Sequence, residues 1–95
     1  MKYNNGDLVD NRFLVTGVCS DSGGMGEILH VIDNINILRQ PIVMKYCKVN
    51  DDEYVKRFRR EVRLLSSFSN NGRVIQVLHE NMESMPPYFI MPYYQ

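Results

Sequence analysis

The sequence has no tryptophan, only two cysteines and four prolines, and no excess charge of either sign, with 11 basic and 11 acidic side chains. Cys19 and Cys47 lack Cys-x-x-Cys spacing, and His30 and His79 do not form a helical His-x-x-x-His pair, so no metal site or disulfide framework is encoded. The two cysteines can make one bridge at most; a pair of reduced thiols fits better, and with it a cytoplasmic setting. Balanced charge supplies no general attraction to nucleic acid or to an anionic membrane. Long hydrophobic runs are missing too. The longest is Tyr88 to Met91, far short of the roughly 20 residues a spanning helix needs. Met1 to Gly6 places no apolar core behind Lys2, so it does not read as a secretory signal. At 95 residues the chain has room for one small domain. Whether that domain is complete is the question the length leaves.

What is present is strand-like material, then one helix, then more strand. Residues 1–11 are polar and read as an N-terminal arm with little core content. Phe13 to Cys19 is β-branched and aromatic. Glu27 to Asp33 alternates, with Ile28, His30 and Ile32 on one face and Leu29 and Val31 on the other. Pro41 opens a third strand from Ile42 to Val49. Asn50-Asp51-Asp52-Glu53 supplies a cap and first-turn acids. After it Tyr54, Val55, Phe58, Val62, Leu65 and Phe68 recur at helical spacing, ending before Asn70-Asn71-Gly72. Val74 to Leu78 and Pro87 to Tyr93 complete the pattern as a hairpin around the loop Asn81 to Pro86. The expected fold is α+β, a five-stranded antiparallel sheet with one covering helix.

Three features carry chemistry. Lys45 interrupts the apolar strand Ile42-Val43-Met44-Lys45-Tyr46, on the same face as Val43 and Cys47. Glu61 falls on the helix between Phe58 and Leu65, either facing the core or reaching to water from the stripe's edge. A carboxylate and an ammonium so placed are natural ion-pair partners, because each is costly to bury alone. Ser22-Gly23-Gly24-Met25-Gly26 lies between two strands, which excludes a dinucleotide fingerprint, and no Gly-Lys-Ser/Thr follows to make a P-loop. A glycine turn between strands either closes a tight hairpin or offers backbone N–H groups to phosphates.

In this order the three features resemble the N-terminal, ATP-binding lobe of bacterial-type Ser/Thr protein kinases. Gly23-Gly24-Met25-Gly26-Glu27-Ile28 is similar to the phosphate-covering loop, Ile42-Val43-Met44-Lys45 to the Val-Ala-Ile-Lys strand, and Phe58-Arg59-Arg60-Glu61 to the helix-glutamate motif. Gly6-Asp7-Leu8 before Arg12-Phe13 is similar to the family's lead-in to the first strand, so the resemblance covers nearly all 95 residues, with the lobe itself over residues 12–95, where the chain reaches the hinge between lobes. It implies that Ser22, Gly23, Gly24, Met25 and Gly26 lie over the ATP phosphates and that Lys45 pairs with them, held by Glu61. It implies that Ile28 and Val43 enclose the adenine, that Met91 is the gatekeeper, and that the Pro92 carbonyl and Tyr94 N–H meet the adenine edge. Leu65 and Val77 would support them from behind.

The sequence departs from the family pattern at the loop's first glycine, replaced by Ser20 or Asp21, in a first strand one residue longer, at Val43 for alanine and at Pro92 for glutamate. No His-Arg-Asp loop or Asp-Phe-Gly motif occurs in these residues. The expectation is therefore a nucleotide-binding lobe that is inactive by itself, its magnesium ligands and catalytic base belonging to a C-lobe of the parent protein. The parent would phosphorylate protein Ser/Thr and would be soluble or tethered downstream; the alternative is a non-catalytic pseudokinase-like or interaction module. An exposed inter-lobe surface including Met91, Tyr93 and Tyr94 would favour self-association. Lys56, Arg57, Arg59, Arg60 and Arg63 form a basic helix face, read as solvated, as a docking surface or as a site for phosphate on an activation segment, and only poorly as a nucleic-acid site.

Overall fold

Alternation and turn chemistry build most of the sheet. The computed structural model of the chain describes residues 3–20, 26–67 and 76–93. Six strands run as β1 (Leu8–Val9), β2 (Phe13–Ser20), β3 (Gly26–Asp33), β4 (Ile42–Cys47), β5 (His79–Asn81) and β6 (Tyr88–Pro92), with α1 (Asp52–Ser67) between β4 and β5. They form one antiparallel sheet in the order β1-β2-β3-β4-β6-β5. The fold is thus α+β as expected, with six strands rather than five.

Two elements differ from the sequence reading. The N-terminal arm is not peripheral: it holds β1, buries Val9, and packs Tyr3 edge-on against Tyr46 at 5.0 Å between centroids. It joins β2 through a turn closed by Arg12 N–H to Val9 C=O, with Asp10 and Asn11 both at positive φ, a geometry Asp and Asn tolerate. The strand expected over 74–78 lies instead at His79–Asn81, polar residues whose backbone pairs with β6. Of the earlier span, 76–78 is not strand, and Val74 and Ile75 fall outside the described residues.

Opposite faces of the sheet bury different clusters. On one, Phe13, Val15, Leu29, Val31, Ile42, Met44, Tyr46, Tyr88 and Ile90 pack together, with Tyr3, Leu38 and Leu78 against them. On the other, Val43, Cys47, Phe89 and Met91 meet Val55, Phe58 and Val62 of α1. Asp51 caps the helix, its Oδ1 accepting from Glu53 N–H at 2.9 Å and its C=O from Val55 N–H. No helix among the described residues is long and apolar enough to cross a membrane.

Candidate functional site

The helix-side face of the sheet collects the residues singled out from sequence. Cross-strand register sets Ile28 opposite Lys45 and Lys45 opposite Phe89, with His30 opposite Val43 and Val43 opposite Met91 one row away. Alternation along β4 puts Lys45 with Val43 and Cys47, as its spacing requires. Lys45 is half-buried, and its aliphatic stem crosses Gly26. A Cβ at Gly26 would stand 3.1 Å from Lys45 Cε and 3.0 Å from the Tyr46 carbonyl oxygen. Glycine is needed there for close approach, since Gly26 does not have a positive φ.

Ile28 is half-buried, while Val43, Met91 and Pro92 are buried. His30 stands edge-on to Tyr93, with ring centroids 4.9 Å apart. The half-buried side chains on this face thus include Ile28, His30 and Tyr93, with Lys45 beside Ile28 where β3 leaves the glycine segment. Leu65 and Val77 pack against the same cluster. Ser22, Gly23, Gly24, Met25 and Tyr94 lie outside the described residues. The register of β2 against β3 shifts between Val15 and Gly17 and again between Val18 and Ser20, bulges that absorb extra strand length before the glycines.

Glu61 is not brought to Lys45. It is exposed, and the two form no ion pair. The buried stripe of α1 is narrower than the sequence reading had it. Val55, Phe58 and Val62 are 5%, 2% and 1% exposed, Leu65 is half-buried, and Tyr54 on the Glu61 side is 39% exposed. Glu61 sits roughly 80° around the helix from the centre of that stripe, where water solvates its charge. The expectation of an exposed Met91 is also corrected. Its pairing with Val43 and packing in the helix-face cluster bury it, and Tyr93 is half-buried.

The other face carries polar groups that the sequence reading passed over. Glu27 is 2% exposed, and its Oε1 accepts from the Tyr46 hydroxyl at 2.7 Å. Burial, and then that carboxylate, push the Tyr46 hydroxyl well above the ordinary phenol range. Asp33 is also buried; it receives Arg12 Nε at 2.9 Å and Nη2 at 3.0 Å, plus backbone N–H groups of Ile35, Ile37 and Leu38. The Arg12 hydrogen bonds hold its carboxyl far below the usual range, against the opposing effect of burial. The Arg12 guanidinium lies over Phe13 at 4.7 Å and reaches His79 Nδ1 at 3.5 Å. Burial, then Arg12, lower the His79 pKa. Asp10 accepts from both Asn81 Nδ2 and the Tyr88 hydroxyl.

A signal for two of these was present. The alternation that puts Leu29 and Val31 inward puts Glu27 and Asp33 inward as well. Both cysteines are free, and burial pushes the Cys47 thiol up, away from thiolate chemistry. Compared with known proteins, the chain matches no family model and no curated protein.

Proposed function

We propose that this chain is a nucleotide-binding lobe of the Ser/Thr protein kinase type, with ATP as its ligand. The observation that carries the reading is Lys45 laid across a side-chain-free Gly26, at the margin of a floor made by Ile28, Val43 and Met91. The ammonium neutralises phosphate charge, Ile28 and Val43 take the flat base, and Met91 closes the back of its slot. On this reading the glycine segment Ser22 to Gly26 would cover the phosphates, and Pro92 and Tyr94 would meet the adenine edge. ATP supplies a transferable γ-phosphoryl group. Its transfer needs a base and metal ligands from motifs that do not occur in these residues. In a parent kinase a second lobe brings them and the protein substrate.

Glu61 joins Lys45 in this scheme only after α1 turns to carry it inward, since it is exposed here. That exposure favours a second reading, a non-catalytic module that holds a nucleotide or a protein without a Lys-Glu pair. Titration of the isotopically labelled chain with ATP tests both. ATP is expected to shift the backbone resonances of Ile28, Val43, Lys45 and Met91, and Lys45→Met to weaken binding by about tenfold, the worth of one charge-assisted contact. Unchanged affinity in that variant, or shifts confined to the opposite face, would remove the kinase-type assignment.

A further inference from the structure

Lys56, Arg59, Arg60 and Arg63 line one cleft on a flank of α1. Their spacing places them on one helical stripe. Arg59 is half-buried and fixed by its Nε donating to the Met82 carbonyl at 3.0 Å; the other three are exposed. Among the described residues no carboxylate lies within ion-pair distance of Lys56, Arg59 or Arg60. Of the helix's acids, Asp52 lies on the same stripe one turn before Lys56, Glu53 lies beside it in the first turn, and Glu61 is on the far flank. Like charges four apart, Lys56 with Arg60, concentrate positive charge along the cleft.

Leu64, one turn beyond Arg60, is 52% exposed beside it. The cationic stripe spans roughly 10 Å along the helix axis at the α-helical rise. Alternate side chains of an extended peptide are about 7 Å apart, so two carboxylates on one edge fit within that length. A single dianion would leave part of the stripe and Leu64 unused, and the chain's zero net charge gives no long-range pull on a polyanion such as nucleic acid. We propose that this cleft docks an acidic, extended polypeptide segment with an apolar residue beside its carboxylates. The site lies on a flank of the helix beside the buried stripe, where Arg59 reaches the loop between β5 and β6, and is independent of the nucleotide reading.

The test is fluorescence anisotropy of a labelled Asp-Glu-Leu-Asp-Glu peptide titrated with the full chain. Saturable binding is expected, at least tenfold weaker for the Asn-Gln-Leu-Asn-Gln peptide and for Lys56→Gln/Arg60→Gln, and weakening as salt rises. Leu64→Ser is expected to weaken it about threefold, and Arg57→Gln, whose guanidinium lies toward Tyr54 instead, to leave it unchanged. These positions are exposed, and matching thermal melts establish that each variant is folded. Equal binding by Lys56→Gln/Arg60→Gln overturns the proposal. So does tighter binding of inorganic phosphate or a single-stranded oligonucleotide, or a peptide-free dimer that Lys56→Gln/Arg60→Gln dissolves.

Discussion

Removing Arg12 should be among the most damaging single changes available outside the apolar core. Asp33 is buried and takes five donors, two from the guanidinium and three from backbone N–H groups of the following loop. In Arg12→Met those three remain but the counter-charge is gone. Breaking a buried pair from one side costs about 3–5 kcal/mol; the surviving N–H donors argue for the lower end, about 3 kcal/mol. A chain of this length has a total stability of roughly 5–14 kcal/mol, so the variant stays folded but visibly weakened. In urea, with m of about 1–1.5 kcal/mol/M, the midpoint should fall by roughly 2–3 M. Asp33→Asn should cost a similar amount, because its NH₂ faces donors where the carboxylate had only acceptors. The double variant should cost less than the sum by about 2 kcal/mol, the coupling between two groups in direct contact. The Asp33 pKa is depressed by folding, so this stabilisation is complete above the unfolded carboxyl pKa, about 4, and is lost as pH falls toward the folded value. The gap between wild type and Arg12→Met should hold from neutrality to about pH 4.5 and close below that. Additive single costs, or a pH-independent gap down to about pH 2, would refute the assignment.

Two further outcomes are expected. Gly26→Ala sets a methyl group against Lys45 Cε and the Tyr46 carbonyl, an overpacking cost of about 1–3 kcal/mol. In a Lys45→Ala background, where only the carbonyl contact remains, denaturant melts should show a smaller penalty. The His79 pKa is lowered in the folded state, so the unfolded chain binds the proton more readily. Stability should fall as pH drops below about 6.5, and urea midpoints measured between pH 7.5 and 5.5 should show this slope vanish in His79→Gln.

The two long β-strands flanking the glycine segment, and the helix, were legible because period-2 and period-3.6 patterns are written in single residues. The placement of Lys45 beside Val43 follows from alternation alone, and so does the inward aim of Glu27 and Asp33. Their partners do not. Tyr46 reaches Glu27 from a neighbouring strand, and Arg12 reaches Asp33 across a hairpin, pairings fixed by register. Glu61 shows how a helical wheel misleads. The wheel orders residues around the axis, but how much of the stripe is covered depends on how α1 seats on β4 and β6. β1 escaped notice because two residues are too short to show a period within a polar arm, and β5 because it is short and polar; the backbone of a neighbouring strand recruits each.

The polar network at the β1–β2 turn has a consequence for the order in which the chain acquires its structure. Arg12 meets Asp33 while the chain is still short, but its contact with His79 spans 67 positions, and those of Asp10 with Asn81 and Tyr88 span 71 and 78. Contacts this distant form late, since the loop must close before they contribute. During synthesis the turn at Asp10 emerges early and waits with its carboxylate unsatisfied by protein. Only when β5 and β6 arrive does Asp10 gain its Asn81 and Tyr88 donors, so a nascent chain that stops short of β5 holds its first hairpin without these long-range side-chain bonds.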